Sequence, residues 1–229
     1  MTIGIIGAMD EEIKRLKNNM TDQQEVTVAN SLFVKGKLSG VDVVLLKSGI
    51  GKVNAAMTTT ILHERFNPSL VINTGSAGGF SSKLEVGDIV ISTHVVHHDV
   101  DATAFDYKYG QVPQMPAQFP ADARLVELAK AAAKTIDVQA AEGLIATGDS
   151  FMENPERVAF VKKQFPSMIA AEMEAAAIAQ VCYQYATPFV VIRALSDIAG
   201  KESSVSFDAF LDTAAKHATM MIMSMIKDL

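Results

Sequence analysis

The sequence predicts an α/β fold: a three-layer sandwich in which helices cover both faces of a central mixed, largely parallel sheet. Short apolar, β-branched runs alternate along the chain with longer segments of helical periodicity, which is typical of this class. The strand-like runs are mostly continuous in apolar residues, without a regular polar alternation, as expected of strands buried on both faces. With 229 residues, 49% of them hydrophobic, the chain can form one substantial core. We therefore expect a single domain spanning residues 1–229.

Short apolar runs are the predicted strands. They are IGIIG (3–7), VDVVLLK (41–47), LVINT (70–74), DIVIS (88–92), GLIAT (143–147), SMIAA (167–171) and PFVVIRAL (188–195). Longer segments with helical periodicity are the predicted helices: Asp10–Asn19, Lys52–Phe66, Asp122–Lys134, Asn154–Gln164, Glu174–Tyr185 and Ser206–Lys227. The region Val100–Phe119 has no periodicity, and a loop of this length in a compact domain is typically a functional lid or an interface arm.

The composition argues against several classes of protein. A charged fraction of 20% is usual for a globular chain, and a formal net charge of -6 argues against a nucleic-acid-binding surface. Cys182 is the single cysteine, so no intramolecular disulfide can form, and on a helix it is expected to be a buried, inert thiol. The segment MTIGIIGAMDEE (1–12) lacks a signal-peptide pattern, and no stretch has the length of a membrane span. We expect a cytoplasmic protein that binds neither nucleic acid nor membranes.

Two glutamates interrupt the otherwise apolar stretch IAAEMEAAAIAQVC (169–182). A charge removed from water costs several kcal/mol unless a partner compensates for it. Glu172 and Glu174 therefore either reach the surface or line a site that uses negative charge. If the chain is still extended there, both project to one face and Met173 to the other, whereas in a helix they would diverge by about 200°. A strand-to-helix junction is where both could face one pocket.

Other polar segments follow predicted strands, where ligands collect in open α/β folds. The acids DEE (10–12) could simply stabilise the positive end of a helix, or one of them could turn inward as a base. The turn GSAGG (75–79) could cradle an anion or a ribose hydroxyl with its amides, or could be a plain tight turn. The pair SD (196–197) follows the last strand, and Arg193 precedes Asp197 by four residues.

Several other motifs have the wrong spacing. GIIG (4–7) lacks the GxGxxG pattern of a dinucleotide turn, and SGIGKVNA (48–55) lacks the glycine spacing and the Ser or Thr of a phosphate loop. HVVHHDVD (94–101) contains three histidines and two aspartates, but His97 and His98 would point in opposite directions in a strand, and no helical HxxxH pattern occurs. We expect no metal and no other cofactor.

The motifs GIIGAM (4–9), KSGIGKVNAA (47–56), INTGSAGG (72–79), VGDIV (86–90), TAFDYKYGQVP (103–113), EMEA (172–175) and RALSD (193–197) jointly resemble one family. From residue 1 to the final helix the chain resembles the 5'-methylthioadenosine/S-adenosylhomocysteine nucleosidases, which are bacterial members of the purine nucleoside phosphorylase-like superfamily. Asp10 departs from the AMEEE run that is more usual in the family, but the functional acid corresponds to the last one, Glu12. The resemblance implies a nucleoside phosphorylase-like fold.

The resemblance also implies an activity. The family hydrolyses the N-glycosidic bond of methylthioadenosine and adenosylhomocysteine, and we expect 5'-deoxyadenosine as a further substrate. Adenine and a 5-substituted ribose are released, in methionine salvage and methyl-cycle recycling. As in glycoside hydrolysis, one carboxyl group protonates the leaving group while another activates water. By resemblance Asp197 is the acid acting on adenine N7, Glu12 is the base, and Glu174 holds the ribose hydroxyls. Glu172 is expected to support them, by orienting water or by pairing with Arg193.

The remaining implied site residues bind the substrate. Phe151 should stack on adenine, the Met152 backbone should read the edge of the base, and Met173 should pack against the ribose. The alkylthio pocket should be lined by Met9, Ile50 and Phe207. The wall where related phosphorylases bind phosphate is matched by Ser76 and Gly78, and the last strand adds Arg193 and Ser196.

The resemblance also implies a homodimer. A second subunit should contribute the residues that match Ala102, Phe105 and Pro113.

Other functions would need different residues. A phosphorylase of the same fold should need a cationic grip on phosphate, whereas Glu12 would repel phosphate near the sugar. A non-catalytic nucleoside sensor would need neither an acid nor a base. An enzyme that uses NAD would need the dinucleotide turn that is missing here.

Overall fold

A computed structural model of the chain describes residues 1–136, 138–199 and 203–229, and for residues 203–206 it describes the backbone. The described strands are β1 (Ile3–Gly7), β2 (Thr21–Val28), β3 (Ser31–Leu38), β4 (Val41–Lys47), β5 (Leu70–Gly79), β6 (Ile89–His97), β7 (Phe119–Pro120), β8 (Ala140–Thr147), β9 (Met168–Glu172) and β10 (Phe189–Ile198). The described helices are α1 (Asp10–Asn18), α2 (Lys52–Phe66), α3 (Ala123–Thr135), α4 (Pro155–Gln164), α5 (Ala175–Gln184) and α6 (Ser203–Ile226), with a short 3₁₀ turn at Thr103–Phe105. Each predicted strand and helix is present, and β5, β6 and β10 run several residues further than predicted.

The strands form one mixed sheet that partly closes on itself. Strand β10 pairs with both β5 and β6, so β5, β10, β6, β8 and β9 make a ring, and β1, β4, β3 and β2 extend from it in that order. Parallel pairings join β1 to β4 and β5, β5 to β10, and β8 to β6 and β9. The other described pairings are antiparallel. The predicted α/β fold with a mixed central sheet is confirmed.

Helices cover both faces of the sheet because its strands present apolar side chains to both. On one face, Ile5 and Ile72 pack in a buried cluster with residues of α1, α3 and α6. On the other face, the adjacent residues Ile6 and Val71 pack with residues of α2 and α5. Neighbouring residues of a strand point to opposite faces, so two covered faces require strands that are apolar throughout.

The hairpin formed by β2 and β3 was not predicted. Strand β2, TDQQEVTV, is polar and almost fully exposed, so it lacks the apolar pattern that marks a buried strand. The turn that follows it contains Ala29 and Asn30, whose φ angles of 49° and 61° are both left-handed. Two such residues make the usual turn of a tight hairpin, and Asn30 was the one sequence signal for it.

The region that had no periodicity, 100–119, consists of turns around the 3₁₀ segment and leads into the two-residue strand β7, which pairs with β6. Among the helices described, none is long and apolar enough to cross a membrane.

Candidate active site

A cavity of about 460 Å³ lies where β1, β5, β9 and β10 end, and this volume is within the usual range for small-molecule sites. It brings together thirteen of the residues proposed from the sequence. They are Met9, Glu12, Ile50, Ser76, Gly78, Phe151, Met152, Glu172, Met173, Glu174, Ser196, Asp197 and Phe207. Arg193 lies behind the cavity wall, fully buried among the carboxylates.

Glu12 is held at the wall of the cavity by four hydrogen bonds. Its Oε2 accepts from the backbone N–H groups of Ala8 (2.7 Å) and Met9 (3.2 Å), and its Oε1 accepts from the backbone N–H (2.9 Å) and hydroxyl (3.1 Å) of Ser76. The bond to Met9 is also the capping contact that begins α1. Glu12 therefore both begins the helix and faces the cavity. A Cβ at Gly75 would lie 2.6 Å from Glu12 Oε1, so only glycine fits beside this carboxylate.

At the junction between β9 and α5, Glu172 and Glu174 both lie against Arg193. Strand β9 ends at Glu172, and Glu174 is the residue that precedes α5. Arg193 Nη2 lies 2.5 Å from Glu172 Oε2 and 3.5 Å from Glu174 Oε2. Glu172 also accepts from the N–H groups of Glu174 and Ala175, both at 2.8 Å. Protein donors thus occupy Glu172, whereas Glu174 has, among the described residues, a single further partner, the N–H of Gly51 at 2.9 Å.

The charges of this group do not balance. Glu12, Glu172 and Glu174 are all buried and Arg193 is the basic residue among them. Burial, together with the charge of Glu172, raises the pKa of Glu174 to about 8, against the opposing effects of Arg193 and the Gly51 amide. A carboxyl group with such a pKa in a cavity is a common feature of functional sites.

A β-bulge explains how Ser196 and Asp197 both reach the cavity. Leu195 of β10 pairs with Ala77 of β5 and Asp197 pairs with Gly78, so two residues of β10 oppose one residue of β5. Successive residues of a regular strand would point to opposite faces, and a bulge removes that alternation. Ser196 Oγ lies 2.9 Å from Asp197 Oδ1. A Cβ at Gly78 would be 3.0 Å from Asp197 Oδ2, so the glycine leaves room for the acid.

The opening of the cavity has an apolar wall. Ile50 and Phe151 keep 49% and 43% of their surface exposed, although both line the cavity. Phe151 meets Phe207 edge to face, with ring centroids 5.9 Å apart. This aromatic pair, with Phe151 exposed and Phe207 half-buried, offers a planar ligand a surface on which to stack.

The residues expected from a second subunit lie apart from this cavity. Phe105 is 77% exposed, Pro113 is exposed and Ala102 is half-buried, and none of the three lines the described cavity.

Several residues that hold Arg193 and the two glutamates in place were not predicted from the sequence. Asn73 accepts from Arg193 Nη2 at 2.8 Å, and the Thr147 hydroxyl donates a short hydrogen bond to Glu172. Their signal was visible: each is a polar residue at the end of an apolar strand run. The Gly51 amide was not predictable, because a backbone donor leaves no trace in residue type. Within the described residues, no group of three His, Cys, Asp or Glu side chains is placed to hold a metal.

Comparisons with known proteins agree over the whole chain. The family model described as "Phosphorylase superfamily" matches residues 2–227. The chain is 65% identical to a 5'-methylthioadenosine/S-adenosylhomocysteine nucleosidase of Oceanobacillus iheyensis, over 99% of both chains. Two solved nucleosidases of this kind superpose with a TM-score of 0.98. One, from Colwellia psychrerythraea with adenine, is 51% identical and matches 100% of this chain and 96% of its own; the other, from Neisseria meningitidis with methylthio-immucillin-A, is 49% identical and matches 100% and 99%.

Proposed function

The chain belongs to the phosphorylase superfamily and, within it, to the 5'-methylthioadenosine/S-adenosylhomocysteine nucleosidases, and from that membership we propose how its own residues carry out the reaction. The enzyme hydrolyses the N-glycosidic bond of methylthioadenosine and adenosylhomocysteine, releasing adenine and the 5-substituted ribose. We propose that the whole chain acts as one catalytic domain.

In the proposed mechanism Asp197 protonates N7 of adenine while the bond between C1' and N9 breaks. The electron pair of that bond leaves with the base, and positive charge develops on the sugar. Glu12 removes a proton from a water molecule whose oxygen then forms the new bond to C1'. Glu174 accepts hydrogen bonds from the ribose hydroxyls, and its negative charge stabilises the cationic sugar. The ribose hydroxyls and the positive charge of the sugar favour the ionised form of Glu174, whereas its burial favours the neutral form.

The hydrogen bonding of Glu12 is the observation that favours water over phosphate as the nucleophile. The backbone N–H and the hydroxyl of Ser76 are donors that an anion could use, and both donate to Glu12 instead. Arg193, the buried cation nearby, is paired with Glu172 and Glu174. A phosphate placed there would meet a carboxylate where it needs a donor.

The decisive experiment is incubation with methylthioadenosine in phosphate-free buffer. We expect free adenine to appear at a rate that added phosphate leaves unchanged. Formation of a ribose 1-phosphate when phosphate is added would contradict the proposed nucleophile, and complete absence of adenine would contradict the proposed function.

We propose that the enzyme is a homodimer whose sites are completed across the interface. Two exposed apolar residues, Val53 of α2 (78%) and Tyr185 directly after α5 (40%), line one shallow depression with residues of the 100–113 loop. Exposed apolar surface of this kind marks interaction sites, and a second copy of the chain is the partner we propose. In that arrangement Ala102, Phe105 and Pro113 would lie against the alkylthio pocket of the other subunit.

We also propose 5'-deoxyadenosine as a substrate and the cytoplasm as the location of the enzyme. A smaller substrate, 5'-deoxyadenosine, presents the same base and ribose and would leave part of the pocket at Met9, Ile50 and Phe207 unfilled. A cytoplasmic location fits the single cysteine of the chain.

A further inference from the structure

A largely buried ion pair joins Lys52, the first residue of α2, to Asp99, which lies two residues after the end of β6. Lys52 Nζ is 2.6 Å from Asp99 Oδ1, and the two side chains are only 19% and 17% exposed. The pair formed by Lys37 and Asp42 is otherwise similar, at 2.7 Å, but is 42% and 57% exposed. Exposed ion pairs contribute little to stability because water and salt screen them. The Lys52–Asp99 pair is largely shielded from both.

The covered pair is part of a closed set of three hydrogen bonds. Besides the contact with Lys52, Asp99 accepts from the backbone N–H of Asp149 through Oδ2, at 2.9 Å. The Asp149 carboxylate in turn accepts from the backbone N–H of Lys52, at 2.8 Å. Helix α2 begins at Lys52, and its N-cap residue, Gly51, has no side chain to cap it. Asp149 supplies the missing acceptor from another loop, at the end of the helix that favours negative charge.

The three residues connect two segments that both line the cavity. Ile50 lies two residues before Lys52, and Phe151 lies two residues after Asp149, and both line the cavity. The segment at Ile50 also carries the Gly51 amide, which donates to Glu174 at 2.9 Å. The distance between these walls is therefore fixed from outside the cavity.

We propose that Asp99, acting through Lys52 and Asp149, is a positioning residue for the reaction. It holds the Ile50 wall and the Phe151 wall at the separation that adenine and the 5'-substituent require. The inference rests on the proposed function, because it assigns those walls to the nucleoside. Asp99 makes no contact with the cavity itself, so its effect is indirect and should appear in binding.

An amide at position 99 is a sharp test. Both carboxylate oxygens of Asp99 accept hydrogen bonds from N–H donors. An asparagine side chain has one oxygen that accepts and one NH₂ group that donates. Asp99→Asn must therefore break one of the two hydrogen bonds without changing the size of the side chain. Lys52→Met breaks the ion pair from the other side and keeps the apolar stem. Lys52→Arg retains the charge and serves as the conservative variant. Lys37→Met and Asp42→Asn repeat the same changes on the exposed pair.

The measurements are kcat and KM for methylthioadenosine, the Kd of adenine by calorimetry, and the oligomeric state by sedimentation. The last is needed because Lys52 and Asp149 also line the depression proposed as the dimer contact, and a variant that loses the dimer would overturn the positioning role. For Asp99→Asn and for Lys52→Met we expect KM and the adenine Kd to rise about tenfold while kcat changes less than about threefold, since a displaced wall weakens binding more than chemistry. The double variant Lys52→Met with Asp99→Asn should be no worse than the more affected single variant, because both act on one interaction. Lys52→Arg and the exposed-pair variants should keep KM and Kd at the wild-type values.

Unchanged KM and adenine Kd in Asp99→Asn and Lys52→Met would overturn the proposal, even if both variants melted at lower temperature, because that result would give the pair a purely structural role. A fall in kcat at constant KM would overturn it as well. If one of the two variants failed to fold, the other decides. Turnover by the wild-type enzyme distinguishes failure of the proposed function from failure of the role of Asp99. No release of adenine by the wild type would refute the proposed function. Normal turnover by the wild type, with unaffected variants, would refute only the role of Asp99.

Discussion

A single oxygen of Glu12, Oε1, accepts hydrogen bonds from both the backbone N–H and the hydroxyl of Ser76, at 2.9 and 3.1 Å. The relationship joins the start of α1 to the Gly-rich end of β5, which are 64 residues apart in sequence. Because each partner is a donor, the arrangement suits an ionised carboxylate, and an ionised carboxylate is the form that a base needs.

The first prediction concerns this base. Glu12→Gln should lower kcat by about 10²–10⁴-fold, because an amide cannot take a proton from water. Adenine should still bind, since the side chain keeps its shape. Glu11→Gln is the matched control, because Glu11 is the neighbouring acid and is exposed; it should retain wild-type kcat. A Glu12→Gln enzyme with a tenth of the wild-type kcat would show that another group is the base.

The second prediction distinguishes an acid from a positioning group at Asp197. Asp197→Asn should lower the rate of adenine release by about 10²–10⁴-fold, because adenine leaves poorly without a proton on N7. The loss should shrink sharply for a synthetic riboside that releases nitrophenolate, which needs no proton. Both substrates are measured on the same variant. An equal loss on both would mean that Asp197 orients the substrate and does not deliver the proton.

The third prediction concerns the effect of Glu174 on stability. Its folded pKa of about 8 lies well above the value of about 4.3 for an unfolded glutamate. Between these pH values the folded protein holds a proton that the unfolded chain has released, so stability falls as pH rises through this window. Glu174→Gln should remove that contribution to the slope and raise Tm at pH 8 by at least about 2 °C, while lowering activity.

Melting curves of wild type and Glu174→Gln at intervals from pH 5 to pH 8 check this prediction. The prediction is contradicted if the difference in Tm between Glu174→Gln and wild type is the same at every pH, or if the variant is the less stable protein at pH 8. Either result would show that Arg193 and the Gly51 amide compensate the charge of Glu174 in full.

The fourth prediction tests whether the two subunits share their sites. Phe105→Ala and Glu12→Gln should each have low activity alone, the first through a damaged pocket in the partner and the second through a missing base. After mixing and subunit exchange, half of the dimers combine one chain of each type, and each of these has one intact site. Activity should recover to about a quarter of the wild-type value. No recovery after demonstrated exchange would mean that Phe105 acts within its own subunit, and an active monomer in sedimentation would contradict the dimer itself.

The sequence was informative wherever residue type reflects burial or charge. The strand run IGIIG (3–7) and the helix Lys52–Phe66 have the predicted ends. The strand is a continuous apolar run, and the helix lies between Gly51 and Asn67-Pro68, which are typical of helix boundaries. Glu172 and Glu174 were singled out as candidate site residues because a buried charge needs a compensating partner, and both are buried and line the cavity. What could not be predicted depends on geometry alone. The bulge at Ser196 has no residue signature, and the bond from Gly51 to Glu174 depends on a backbone group that every residue except proline has.

The polar strand β2 has a consequence for how the protein behaves in concentrated solution. It lies at one end of the sheet and, among the described strands, pairs with β3, so its other edge presents open backbone groups of the kind on which chains aggregate. Glu25 on this strand pairs with Lys17, and an irregular register between Thr21 and Gln24 makes the edge a poor template. The strand that the sequence did not predict, at the end of the sheet, is therefore expected to disfavour edge-to-edge association between separate molecules.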